Sequence, residues 1–236
     1  MKRVVGCLFL VVAVCSADIL FEDFFDDGNA DGWYEECSPP GASFWVESGT
    51  YHFAHTGSGV KLALSSNGDD TTFTPHQMSL PDYFVRCKVS ALSPTEHLGV
   101  LVRFETPILA LNGYSLVFNY VSDFVAISKW ISGSETFLVS EDDFGLEYGE
   151  EYWVRFDCIG DQLLGKVWAG TLADEPVSYL FQTSDSDYTD PGLVCLGGHC
   201  WSADFHVAFD SVMVETIPEE LDPVTWGAIK SESSFQ

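Results

Sequence analysis

Asp27-Gly28-Asn29-Ala30-Asp31-Gly32 sets acidic and amide side chains at alternate positions and closes on a glycine. Carboxylate and amide oxygens suit a hard cation, and the glycine allows a sharp turn, so Asp27, Asn29 and Asp31 are candidate Ca2+ ligands. The twelfth position of a helix-flanked calcium loop is Ser38 rather than Glu, and no helical pattern flanks it. A partial calcium site and a plain acidic turn both fit. Sugar recognition would need a flat ring against the C–H face of a pyranose, with polar groups beside it for the hydroxyls. Tyr120, Trp130, Trp168, Tyr188 and Trp201 are the candidates among 7 tryptophans and 9 tyrosines, most of which a sandwich spends on its core. The 6 histidines form no H-E-x-x-H pattern and no G-x-S-x-G occurs, so the sequence supplies neither a zinc-protease helix nor a nucleophile elbow. His52 and His55 lie in strand-like sequence at a spacing that points them to opposite faces, and the histidines read as isolated polar residues.

The elements that must position these groups are strands. Tyr152, Val154, Phe156 and Cys158 alternate with Trp153, Arg155 and Asp157, the period of a half-buried strand. Gly160-Asp161-Gln162 supplies a turn and 163–168 returns, which makes a β-hairpin. Further strands are expected at 19–25, 43–47, 50–54, 60–64, 83–92, 98–104, 114–121, 124–130, 136–139, 192–196 and 205–215. No stretch before Pro218 shows a sustained helical period. The fold class is all-β, a two-sheet antiparallel β-sandwich, with residues 18–216 as one domain and 217–236 as a flexible tail.

Lys2 and Arg3, the apolar run 4–14 and the small residues Cys15-Ser16-Ala17 read as a secretory signal peptide cleaved after Ala17. An acylated Cys15 is disfavoured by the bulky Val14 before it. Removing residues 1–17 leaves 8 Lys+Arg against 36 Asp+Glu, a net charge of 8 − 36 = −28. That balance opposes nucleic acid and anionic membranes and favours cations, or it simply serves solubility outside the cell. Cys37, Cys87, Cys158, Cys195 and Cys200 then remain, an odd number. Pairing does not follow from sequence. The short spacer Leu196-Gly197-Gly198-His199 favours a hairpin bridge between Cys195 and Cys200, while Cys87 and Cys158 suit buried thiols as well as bridges.

The opening LFEDFFDDGNADGW, the segment Ala42-Ser43-Phe44-Trp45-Val46 before Ser48-Gly49-Thr50-Tyr51, the link VWAGTLADEP and the ending VAFDSVMVE resemble laminin-G-like, concanavalin A-like jelly rolls of secreted bacterial proteins. The resemblance covers about residues 19–216. It implies a jelly roll whose first and last strands are neighbours, often with a structural calcium and often binding carbohydrate. That adjacency would bring Glu22 or Asp23 towards Asp210, a pair of carboxylates that a calcium ion would relieve. The laminarinase-type E-x-D-x-x-E pattern is only begun by Glu141-Asp142-Asp143, since Leu146 stands where its last Glu is required.

These readings converge on a secreted, monomeric, non-catalytic module that binds a polysaccharide or surface glycan and carries a structural Ca2+. A glycoside hydrolase or 3-keto-glycoside hydrolase on the same fold is the alternative, and an adhesive surface protein without a small ligand is the third. After signal cleavage no membrane insertion is expected.

Overall fold

The structure is a computed structural model that describes residues 17–57, 59–69, 74–105, 111–201 and 203–218. The apolar run at 4–14 and the tail around Trp226 lie outside the described residues. From the amino end, β1 (Ile19–Asp23) leads through the acidic loop to β2 (Trp33–Ser38), and β3 (Ala42–Glu47) and β4 (Thr50–His55) follow as a hairpin. β5 (Lys61–Asp69) and the short β6 (Thr74–Pro75) precede β7 (Tyr83–Ala91). A meander of β8 (His97–Phe104), β9 (Gly113–Asn119), β10 (Phe124–Ile131) and β11 (Ser134–Asp142) comes next. β12 (Tyr152–Ile159) and β13 (Gln162–Trp168) form the expected hairpin, a short 3-10 turn occupies Leu172–Asp174, and β14 (Phe181–Ser184), β15 (Leu193–Cys200) and β16 (Phe205–Thr216) follow. β2, β6 and β14 had no sequence signal.

Two antiparallel sheets result. One runs β14-β13-β12-β7-β16-β4-β3 with β1 also against β16, and the other runs β11-β10-β9-β8-β15-β5-β2 with β6 beside β5. Alternating residues such as Val85, Val89, Val154 and Phe156 from the first sheet meet Leu98, Val100, Leu116 and Ile127 from the second in one core. Each such side chain contributes about 1.5–3 kcal/mol on burial. β16 is long enough to hold two partners along one edge. Phe205–Phe209 pair with β4, and Val212–Glu215 pair with β1. Between them Ser211 adopts φ 53° and the register with β7 slips, a bulge that re-aims the strand. The first and last strands are therefore neighbours.

The hairpin β12–β13 departs from simple alternation. Trp153 and Asp157, on the face away from the core, are buried as well. The segment after β13 crosses that face. Glu175 accepts hydrogen bonds from Arg86 Nε (3.0 Å), Arg155 Nη1 (3.1 Å) and Lys166 Nζ (2.7 Å), and Tyr179 Oη–H donates to Asp157 Oδ2 at 2.6 Å. Glu175 is held below the ordinary carboxylate range by these cations acting against its burial. At the sandwich end, the buried Arg103 guanidinium donates to the carbonyls of Pro81, Gly160 and Tyr188, tying separate loops together.

The expected Cys195–Cys200 bridge is not formed, and all five described cysteines are free. Both lie on one strand, β15, with opposite faces, so Cys195 joins a small outer cluster and Cys200 the main core. Five strand steps separate their Cα atoms by roughly 16 Å, far beyond disulfide reach. Gly197 and Gly198 suit a hairpin turn in sequence, but they extend β15. They are glycines because a Cβ on Gly197 would sit 2.6 Å from Leu64 Cδ2, and one on Gly198 2.7 Å from Phe205 Cε2.

Candidate functional site

The outer face of the second sheet carries a cleft. Strand alternation sends Val125 and Ile127 of β10 inward and leaves Ser128 and Trp130 outward. Direct cross-strand partners share a face, so Trp130 stands beside Glu135 and Ser128 beside Phe137. On the neighbouring strands His97 of β8 lies opposite His199 of β15, and Gly99 opposite Gly197. The two glycines lower the floor, which Leu62, Leu64, Leu101 and Val117 line. Above it opens a space of about 760 Å³ bounded by Trp130, Phe137, Phe124, Asn119, Glu135, His97, His199 and Trp201.

A hydrogen-bonded chain fixes the Trp130 ring. Trp130 Nε1–H donates to Ser115 Oγ at 3.0 Å, the Ser115 and Ser128 hydroxyls lie 2.6 Å apart, and Ser128 Oγ–H donates to Glu135 Oε1 at 2.7 Å. The other Glu135 oxygen lies 3.4 Å from His97 Nδ1, which is buried and has no hydrogen-bond partner of good geometry. Burial pushes the Glu135 carboxyl up to about 7, only partly opposed by the Ser128 hydrogen bond. Burial, with His199 adding to it, pulls His97 down to about 3, and burial pulls His199 down to about 4. At neutral pH both imidazoles are uncharged, and Glu135 stands at the midpoint of its titration. Trp201 is 57% exposed and sits edge-on to His199, with ring centroids 4.7 Å apart. Glu96 accepts a hydrogen bond from the Trp201 backbone N–H and holds that rim.

Of the five aromatic residues singled out in the sequence, the structure brings Trp130 and Trp201 to this cleft. Tyr120 is core, stacked near Tyr148. Trp168 belongs to the opposite sheet, where it stacks on Trp153 at 6.1 Å and donates to the Thr171 carbonyl. Tyr188 packs edge-on against Tyr114 beside a separate depression at the Arg103 end. Glu141 and Asp142 end β11 in solvent, away from the cleft. His97, Glu135, His199 and Phe137 had no sequence signal as a group, because strands distant in the chain bring them together.

The acidic groups proposed for calcium are arranged differently. Asp27 Oδ1 accepts from the Asn29 backbone N–H, Asp27 Oδ2 from Asn29 Nδ2, and Asn29 Oδ1 from the Asp31 backbone N–H. The loop is an Asx-type turn whose oxygens serve its own donors. Asp23 is pushed up by burial, with Asp27 and Asp31 adding to it, while Phe25 N–H and Trp33 Nε1–H bond its two oxygens. Asp210 does not meet Glu22 or Asp23. The bulge places Val212 opposite Asp23 and Met213 opposite Glu22, and Asp210 instead accepts from Lys88 Nζ at 3.1 Å. Among the described residues no three His, Cys, Asp or Glu side chains converge on one metal position. The residues do not fit a calcium cage in this conformation.

No family model and no curated relative matches the chain. Solved structures do. A carbohydrate binding module, CBM66, from Bacillus subtilis superposes with a TM-score of 0.58 at 16% identity, over 80% of this chain and 98% of that one. The fold is a jelly-roll β-sandwich. The exoplasmic/lumenal domain of VIP36 in its Ca2+- and mannose-bound form matches with a TM-score of 0.55 at 10% identity, over 80% of this chain and 85% of that one. A prokaryotic β-1,3-1,4-glucanase (lichenase) from a mouse hindgut metagenome matches with a TM-score of 0.58 at 9% identity, over 84% of this chain and 99% of that one. At such identities the likeness is one of fold, and jelly rolls of this shape include sugar binders and a sugar-cleaving enzyme.

Proposed function

We propose that this protein is an exported, non-catalytic glycan-binding module whose ligand lies in the outer cleft of the second sheet. The observation that carries this reading is the cleft itself: Trp130, Phe137 and Trp201 offer ring surfaces over an apolar floor, with the polar groups of Glu135, His97 and Asn119 in the lining. An N-terminus patterned as an export signal supports the location. The second reading is a glycoside hydrolase, favoured by one feature, a buried acid at Glu135 that titrates near neutrality. Such an enzyme needs a second carboxylate about 5–9.5 Å away, and Glu135 is the only carboxylate among the described cleft residues.

Affinity electrophoresis of residues 18–236 through gels containing mannan, laminarin, lichenan or levan tests the reading, with a reducing-sugar assay on the same polymers. Retardation on one polymer without sugar release is expected. Trp201→Ala removes an exposed ring without touching the core and should weaken retardation roughly tenfold, the scale of one stacked ring. Release of reducing sugar would move the assignment to the hydrolase, and absence of retardation on every polymer would remove the glycan reading.

A further inference from the structure

We propose that this cleft selects an uncharged glycan and closes over Glu135 in its uncharged, protonated form. The inference rests on the glycan reading above and adds the ligand class and the pH at which it binds.

The first argument is the placement of positive charge. Of the ten Lys and Arg residues, Lys2, Arg3 and Lys230 lie outside the described residues, which leaves seven. All seven are committed within the protein. Arg86, Arg155 and Lys166 surround Glu175, and Lys88 holds Asp210. Lys129 holds Asp185 and Asp187. Arg103 and Lys61 are spent on backbone carbonyls. None lines the cleft. A uronate, sulfate or phosphate group there would find no cation, and it would approach a chain of net charge −26.

The second argument is the setting of Glu135. The titratable groups facing it are His97 from β8 and His199 from β15, both neutral around pH 7. β10 contributes the Ser128 hydroxyl and the Trp130 ring, and β9 contributes only the Ser115 hydroxyl beyond them. No cation compensates an ionised Glu135. Its charge is tolerated only through the water that the open cleft admits. A sugar lying against Trp130 displaces that water and removes the remaining solvation of the carboxylate, so the bound state favours the acid. His97 Nδ1, buried and without a hydrogen-bond partner, lies 3.4 Å from the Glu135 carboxyl and carries no charge to offset an ionised acid. Since free Glu135 titrates at about 7, binding above that pH takes up a proton and weakens as pH rises, approaching tenfold per pH unit.

The test uses residues 18–236 and the polymer that retards them best, with dissociation constants measured calorimetrically from pH 6 to 8.5. Alginate, polygalacturonate and heparin serve as anionic probes. The expected result is retention by a neutral polymer only, a dissociation constant that rises about tenfold or more across that range, and loss of this pH dependence in Glu135→Gln. The wild-type profile needs no variant, so a misfolded mutant does not blunt the test. Binding that is independent of pH, that tightens towards pH 8.5, or that prefers an anionic polymer would overturn this inference and leave the glycan reading intact. Failure on every polymer at every pH would overturn the glycan reading and this inference with it.

Discussion

Glu135→Gln should stabilise the free protein, and only at neutral to alkaline pH. The wild-type carboxyl is raised from 4.5 to about 7 by burial, and its side chain is only 12% exposed, so solvent screens it weakly. At about 1.4 kcal/mol per tenfold change, that difference amounts to roughly 3 kcal/mol. The folded state holds the proton more tightly than the unfolded chain. Below pH 4.5 both states are protonated and the group contributes nothing. Between 4.5 and 7 the unfolded chain ionises first, stability falls as pH rises, and above 7 the full cost applies. Glutamine never ionises, keeps the bond from Ser128, and can donate to His97 Nδ1. The variant should therefore gain up to about 3 kcal/mol at pH 8 and under about 1 kcal/mol at pH 5. For a domain of this size the pH 8 gain corresponds to roughly 6–12 °C in Tm. Thermal unfolding followed by circular dichroism at both pH values measures it, with Glu141→Gln at the exposed end of β11 as the control that should not respond. An equal change at both pH values, or a loss of Tm at pH 8, would refute the claim that Glu135 is a buried, uncompensated acid.

Other outcomes follow from the same structure. Glu175→Gln leaves Arg86 with Glu215 and Arg155 with Asp157, but strips Lys166 of its carboxylate. It should cost about 2–4 kcal/mol, read as a lower denaturation midpoint, and Lys166→Met in the same chain should recover part of it. Because the Glu175 carboxyl is depressed, that contribution is intact above the ordinary carboxylate range and fades only as pH falls through it; a midpoint loss as large at pH 3 as at pH 7 would count against the network. All five described cysteines are free, so thiol titration of residues 18–236 in denaturant should count five, and reductant should leave Tm unchanged. A lower count would mean a bridge forms. Calcium against chelator should leave Tm unmoved, whereas a site filled at 100 times its Kd would add about 2.7 kcal/mol.

The sequence by itself determined the fold class, the central hairpin at Tyr152–Trp168 and most of the other strands, because period-2 alternation and turn residues are local signals. It also determined the acidic balance and marked Trp130 and Trp201 as rings worth watching. Three features depend on what lies across from them. Gly197 and Gly198 look like a turn until Leu64 and Phe205 are seen to deny them a Cβ. Asp210 looks like a calcium partner until the Ser211 bulge and Lys88 claim it. Trp168 and Trp201 look equivalent until Trp168 packs on Trp153 in the first sheet and Trp201 stands just past the end of β15 against His199. The Glu135, His97 and His199 cluster was decided by tertiary structure alone. Strand pairing sets β11, β10, β9, β8 and β15 in that order across one sheet. Only that register sets one acid near two neutral imidazoles at a depth where water only partly supports its charge.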